Sequence, residues 1–175
     1  MTDDERVHDP LASARALPHG SAVILRHRDG AQRARLGEAL VNFAHQNNIM
    51  VLIAGDQVLA QRLGADGVHF SESQLHEVAP SRARHPNWIL TAAAHSERAL
   101  LRAHIFGADA GLFAPLFPTM SHTQKEGFGL MRFRLMAARA PLPVYALGGV
   151  TALNATRLSN ACVAGIAAID GLLPD

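Results

Sequence analysis

The feature that most constrains the fold is a regular alternation of short apolar runs and amphipathic stretches along the 175 residues. The runs are often β-branched and mostly lack polar alternation, so they predict strands buried on both faces. Strands of this kind that alternate with helices favour a parallel sheet with right-handed crossovers. Seven runs carry the pattern: 22–27, 50–55, 67–70, 88–94, 110–117, 144–149 and 165–170.

Seven strands fit either an open doubly wound sheet or a closed barrel that lacks one strand. No GxGxxG follows the first run, so the signature of the dinucleotide-binding open sheet is missing. The even spacing shows no break where an open sheet would reverse its strand order. We therefore predict a (β/α)8 TIM barrel formed as a single domain by residues 1–175, with its first strand shortened or missing. A predicted helix within 9–21 precedes the first run, which places the missing strand at the N-terminus.

The triplet Gly-Ala-Asp occurs twice, at 64–66 and 107–109, and each copy precedes an apolar run. We interpret it as a joint between a helix and the next strand, because glycine suits the left-handed position after a helix. An eroded third copy, "CVAG", stands at 162–165. The joints then mark the amino ends of the strands, so chemistry is expected at the opposite, carboxyl ends.

Charged residues follow the first two runs. Arg26 and Arg28 lie on alternate residues, a spacing that suits a polyanion such as diphosphate if it is not simply a solvated strand end. Asp56 follows the second run, where its carboxylate fits both a Mg²⁺ ligand and the N-cap of the next helix.

Two later segments are predicted to bind phosphate. The long polar segment 117–129 contains Thr119, Ser121 and His122, all able to hydrogen-bond a phosphate. Gly148 and Gly149 follow the sixth run, where exposed backbone N–H groups can approach an anion.

Composition limits the classes of partner. The formal net charge of +1 offers no electrostatic argument for nucleic acid or an anionic membrane. No run reaches the roughly 18–20 apolar residues of a membrane span, and the polar N-terminus does not resemble a signal peptide. We expect a cytoplasmic protein that binds small molecules. The ten histidines form no tight metal-binding pair and are predicted to lie at the surface or at helix caps.

Several segments together resemble a known family. In order from about residue 22 to the C-terminus, "LRHRDG", "LIAGDQVLAQRLGADGVHF", "APLFPTMSH", "VYALGGVTALNA" and "GIAAIDGLL" are similar to thiamine phosphate synthase and the related TenI proteins. The resemblance implies a (β/α)8 barrel that uses Mg²⁺ to join a pyrimidine diphosphate to a thiazole phosphate. It also implies a mechanism in which pyrophosphate leaves and the thiazole nitrogen captures the resulting pyrimidine cation.

The resemblance assigns roles to residues of this chain. Arg26 matches a diphosphate-binding arginine, Arg28 replaces a lysine, and Asp56 matches a magnesium aspartate. Thr119 and Ser121 are expected to bind phosphate, His122 stands where a lysine is expected, and Gly148 and Gly149 match the glycines of the thiazole phosphate site. The implied catalytic set is Arg26, Asp56 and His122.

Four positions depart from the family pattern. Gly55 replaces an asparagine, Gln74 stands at the position of the second magnesium aspartate, and Ala93 replaces a serine. Asp170 takes a serine-type position, where its carboxylate would repel a bound phosphate at a cost of about 1 kcal/mol or more.

Three functions therefore remain open. The leading hypothesis is a divergent synthase. The first alternative is a non-catalytic, phosphate-binding or regulatory TenI-like protein without the metal site. The second is other chemistry on a phosphorylated heterocycle, with His122 or His95 as the acid or base. The residue matching the TenI catalytic histidine is Pro115, which argues against TenI chemistry.

The resemblance also bears on the missing strand. Family members begin with a strand that ends in Thr-Asp-Arg, and residues 1–6, "MTDDER", resemble only its tail. The two sheet edges left exposed would need a cover, either the N-terminal segment or a partner chain in a homodimer.

Overall fold

Seven parallel strands form one sheet whose spatial order follows the chain from β1 to β7. The computed structural model describes residues 1–7, 9–118, 127–159 and 162–169. Every predicted run contains a strand, although several strands stop earlier than their runs, and the residues beyond them begin the loops at the carboxyl ends. The strands are β1 (Ala22–Leu25), β2 (Met50–Ala54), β3 (Gly67–Phe70), β4 (Ile89–Ala94), β5 (Ala110–Phe113), β6 (Val144–Ala146) and β7 (Gly165–Ile166).

Helices connect successive strands, as parallel pairing requires. The predicted N-terminal helix is present within 9–21. No helix of the described segments is long and apolar enough to cross a membrane. The α-helices are α1 (Pro10–Arg15), α2 (Gly30–Gln46), α3 (Gln57–Leu63), α4 (Val78–Arg84), α5 (Glu97–Ile105), α6 (Leu130–Arg139) and α7 (Ala152–Ala155), with 3-10 helices at Glu72–Glu77 and Thr156–Leu158.

The curled sheet separates two apolar cores. The larger one lies between strands and helices, with residues such as Leu25, Leu40 and Phe133 fully buried. The smaller one lies on the other face of the sheet and is centred on Ile24, Leu52 and Leu112. Alternate strand residues thus face an interior, as in a barrel.

The N-terminal residues lie between β1 and the chain that follows β7. The Thr2 N–H donates to the carbonyl of Ile24 at 2.9 Å, and the Met1 amine donates to the carbonyl of Ala168 at 2.7 Å. The Thr2 hydroxyl in turn accepts from the N–H of Arg26 at 2.9 Å. The N-terminal segment therefore covers the carboxyl end of the gap between the two edges.

The first Gly-Ala-Asp triplet forms the predicted joint. Gly64 ends α3 in the left-handed conformation, with φ +66°. The Asp66 N–H donates to the carbonyl of Val51 at 2.9 Å, and the Asp66 carboxylate accepts from the N–H of Val51 at 2.7 Å. The side chain therefore ties the start of β3 to β2.

The second triplet repeats this geometry. The Asp109 N–H donates to the carbonyl of Leu90, and the Asp109 carboxylate accepts from the N–H of Leu90, both at 2.7 Å. In the eroded third copy, the N–H of Ala164 donates to the carbonyl of Val144 at 2.9 Å, so only the backbone bond remains. The interpretation of the repeat as a structural joint is confirmed.

The prediction that the histidines lie at the surface or at caps is wrong for two of them. His27 and His69 are only 4% and 6% exposed. Each has a threonine hydroxyl near its Nδ1 atom: Thr2 lies 3.0 Å from His27 and Thr91 lies 2.9 Å from His69. These short polar contacts offset the cost of burying an imidazole.

Candidate functional site

Arg26 lies directly after β1, and its guanidinium pairs with the carboxylate of Asp3. The same carboxylate accepts a 3.1 Å hydrogen bond from Arg6. Burial acts to raise the pKa of Asp3, but the hydrogen bonds from Arg6 and Glu5 and the charges of both arginines lower it to about 2. Asp3 is thus ionised and fixes Arg26 at the mouth, the open carboxyl end of the sheet. The Arg26 side chain remains 43% exposed, so a ligand can reach it.

His69 lies on β3 and faces the interior below this mouth. It shares a layer with Ala54 of β2 and Thr91 of β4, which are its register partners. Burial, followed by the positive charges of the Met1 amine and Arg26, lowers the pKa of His69 to about 4. These positive charges therefore oppose protonation of the buried imidazole.

The residues after Arg26 follow the alternation predicted for the strand end. His27 is buried, whereas Arg26 and Arg28 on either side are exposed. The N–H of Arg28 donates to the carboxylate of Asp4 at 3.2 Å, which fixes its backbone. Both predicted cations thus lie at the carboxyl end of the same strand.

Asp56 follows β2 and caps α3. Its carboxylate accepts a 2.8 Å hydrogen bond from the N–H of Leu59. The N-cap interpretation is confirmed, and it commits one carboxylate oxygen to the backbone.

Gln74, which the resemblance places at the position of a second magnesium aspartate, contacts the residue before Asp56. Its Nε2 donates to the carbonyl of Gly55 at 3.3 Å, and its Oε1 accepts from the hydroxyl of Ser71 at 2.9 Å. Glu72, beside it, accepts a 3.3 Å hydrogen bond from the N–H of His95.

These side chains do not fit a magnesium site. Mg²⁺ requires near-octahedral oxygen ligands, with carboxylates among them. Asp56 offers one carboxylate that already caps a helix, and Gln74 presents an amide engaged at both ends. Across the described ranges, no three His, Cys, Asp or Glu side chains are grouped so that they could hold a metal ion.

The turn after β6 presents two glycines that the packing requires. Gly148 and Gly149 have φ values of +90° and +66°. A Cβ at Gly148 would lie 2.8 Å from Cα of Pro115, and one at Gly149 would lie 2.5 Å from the carbonyl oxygen of Pro118. Within the described residues, the N–H groups of both glycines have no acceptor, so they can donate to an anion.

The fourth and fifth strands end beside His95. Its Nδ1 donates to the carbonyl of Ala114 at 2.6 Å, which fixes the imidazole against the chain leaving β5. The predicted phosphate-binding residues Thr119 and Ser121, the predicted catalytic residue His122 and the departure at Asp170 lie outside the described residues.

The structure adds Asp3, His69 and Thr91 to the residues at this mouth. His69 has a sequence signal, because a titratable residue interrupts the apolar strand "GVHF" at a buried position. Asp3 and Thr91 have no local signal, since their contacts come from strand register and from the path of the N-terminal segment.

A curled parallel sheet with helical crossovers, and with charged and glycine-containing loops at its carboxyl ends, belongs to the class of (β/α)-barrel folds, whose sites lie at that end. A family model described as thiamine monophosphate synthase (TMP-TENI) matches residues 2–172. The chain belongs to this family.

Individual relatives agree with the family model. A thiamine-phosphate synthase of Chlorobium luteolum is 33% identical over 162 residues, which cover 90% of this chain and 76% of the relative. One of Nitrosococcus oceani is 29% identical over 168 residues, covering 93% and 77%. A solved thiamine phosphate pyrophosphorylase from Pyrococcus furiosus has a TM-score of 0.79 at 24% identity, covering 95% of this chain and 81% of that chain. The last match confirms the predicted barrel fold.

Proposed function

We propose that this chain binds the phosphorylated pyrimidine and thiazole precursors of thiamine phosphate at the mouth and joins them. The observation that supports this proposal best is the exposed guanidinium of Arg26 at the carboxyl end of β1. The Arg26 guanidinium is 43% exposed at the mouth, and the buried imidazole of His69 lies on β3 with its side chain facing the interior. The guanidinium suits the diphosphate, and the buried polar pair of His69 and Thr91 lies in the interior below it.

The proposed reaction exchanges one bond for another. The bond between the pyrimidine methylene carbon and the diphosphate oxygen breaks, and its electron pair leaves with pyrophosphate. The lone pair of the thiazole nitrogen then forms the new C–N bond. Arg26 and Arg28 would stabilise the negative charge on the leaving pyrophosphate. The N–H groups of Gly148 and Gly149 would hold the thiazole phosphate, with Thr119, Ser121 and His122 as further proposed contacts.

The test is the formation of thiamine phosphate by the purified chain from hydroxymethylpyrimidine diphosphate and thiazole phosphate, with magnesium in the buffer. Arg26→Gln should lower kcat/KM by about 10²-fold or more, because loss of a charge-stabilising donor costs ~3 kcal/mol. Arg62→Gln is the matched control, since Arg62 is exposed on α3. Equal activity of the two variants would remove Arg26 from the mechanism.

A second candidate is a protein that binds the phosphorylated ligand without transferring it. The contacts of Asp56 and Gln74 favour this alternative, because they differ from a metal site. Saturable binding of thiazole phosphate without formation of thiamine phosphate would support it over the synthase.

The proposed setting is the cytoplasm, with phosphorylated small molecules as partners and neither nucleic acid nor a membrane bound. A homodimer remains a prediction, which sedimentation of the purified chain would test.

A further inference from the structure

Gln74 fills the space between the carboxyl ends of β2 and β3. Its carboxamide is held at both ends: Nε2 donates to the carbonyl of Gly55, and Oε1 accepts from the hydroxyl and the N–H of Ser71. The Ser71 hydroxyl also lies 2.9 Å from that of Ser73. These contacts fix the orientation of the amide, so that its N–H₂ group faces the end of β2.

The amide packs directly onto Gly55. A Cβ at Gly55 would lie 2.9 Å from Oε1 and 3.2 Å from Nε2 of Gln74. Gly55 also has φ +67°, a conformation in which side chains are rare. The bare backbone at Gly55 and the long amide at Gln74 therefore fit each other as a pair.

The acidic side chains nearby are engaged elsewhere. Asp56 caps α3 through Leu59, and Glu72 accepts from the backbone of His95. The Nε2 group of Gln74 carries only donors, and its Oε1 already accepts two hydrogen bonds. A divalent cation would have to displace the contacts of Gln74, and Asp56 and Glu72 each keep only one oxygen without a hydrogen bond among the described residues.

We infer that Gln74 closes the cation position at the ends of β2 and β3, and that the chain binds the diphosphate of its ligand without a divalent cation. Arg26, which is exposed at the same mouth, supplies the positive charge that the diphosphate needs. The statement about the ligand rests on the proposed function. The statement about the cation rests on the contacts of Gln74, Asp56 and Glu72 and does not depend on the ligand.

Binding of a divalent cation is tested with Mn²⁺ alone. Mn²⁺ prefers the same oxygen ligands as Mg²⁺, and electron paramagnetic resonance measures its free form. Wild type should leave Mn²⁺ free. Gln74→Asp should bind one ion per chain, about tenfold or more tightly than wild type, because ligand charge sets the affinity for such ions. Gln61→Asp, an exposed position on α3, makes the same charge change away from the mouth and should behave as wild type. Gln74→Glu preserves the side-chain length and replaces Gln74→Asp if that variant fails to fold.

The statement about the diphosphate is tested by titrating inorganic pyrophosphate into wild type, first with EDTA in the buffer and then with Mg²⁺. Magnesium should not tighten binding. A gain of tenfold or more in the affinity for pyrophosphate on adding Mg²⁺ would overturn the inference. So would binding of one Mn²⁺ per wild-type chain, if Asp56→Asn abolishes that binding. Failure of the Gln74 variants to bind Mn²⁺ more tightly than wild type would also overturn the inference. If wild type binds no pyrophosphate under either condition, the proposed function fails, and the Mn²⁺ measurements alone decide whether Gln74 closes the cation position.

Discussion

Replacing Asp66 by alanine tests whether the repeated Gly-Ala-Asp triplet stabilises the barrel through its aspartate. The carboxylate accepts the N–H of Val51 at 2.7 Å, and Val51 is fully buried. Without the carboxylate that N–H loses its acceptor in the protein. A buried donor left unsatisfied costs about 1–3 kcal/mol.

We therefore expect Asp66→Ala to lower the free energy of unfolding by about 2 kcal/mol, which corresponds to a fall in Tm of ~4–8 °C for a chain of this length. Asp66→Asn should cost less than half as much, because the amide oxygen can still accept the hydrogen bond. Thermal and urea unfolding, followed by circular dichroism, measure both variants.

Glu38→Ala is the control, since Glu38 is an exposed carboxylate on α2. Its effect should lie within about 0.5 kcal/mol of zero. The reasoning is refuted if Asp66→Ala loses no more stability than Glu38→Ala, or if the asparagine and alanine variants lose equal amounts.

Three further predictions follow from individual contacts. The pKa of His69 is about 4 in the folded protein against an ordinary 6.5. Wild type should therefore lose about 3 kcal/mol of stability as pH falls from 6.5 towards 4, at ~1.4 kcal/mol per pH unit. His69→Gln should flatten this dependence, as measured by urea unfolding at several pH values. Gly149→Ala should destabilise by about 2 kcal/mol more than Gly20→Ala, because both glycines have positive φ but a Cβ is crowded only at Gly149; equal losses in thermal unfolding would contradict the clash. Asp3→Asn should lower the free energy of unfolding by about 1 kcal/mol, because the Asp3 carboxylate pairs with two arginines. This loss should be smaller at high salt, and a loss independent of salt would argue against the ion pairs.

The architecture could be predicted because its signals are local. Each buried strand is a short apolar run, and the glycines at 64 and 107 sit where a left-handed residue ends a helix. The same locality explains why the sequence offers a helix cap as one of two roles for Asp56, since the cap and the N–H it accepts are three residues apart.

The site could be predicted only in part, because its contacts join distant residues. The pairing of Arg26 with Asp3 spans 23 residues, and that of His69 with Thr91 spans 22. Register across the sheet sets the second contact, and no local pattern reports it. The fit between Gly55 and Gln74 shows the same limit: each residue departs from the family pattern in sequence, but their contact appears only in the structure.

The central claim is that the mouth binds a phosphorylated precursor of thiamine phosphate through Arg26. The most direct test is calorimetric titration of hydroxymethylpyrimidine diphosphate into wild type and Arg26→Gln, with magnesium present so that the result does not depend on Gln74. We predict saturable binding of one ligand per chain, weakened by about tenfold or more in the variant, since a hydrogen bond to a charged group contributes ~1.5–3 kcal/mol. Absence of saturable binding to wild type, or equal affinity in the two proteins, would contradict the account.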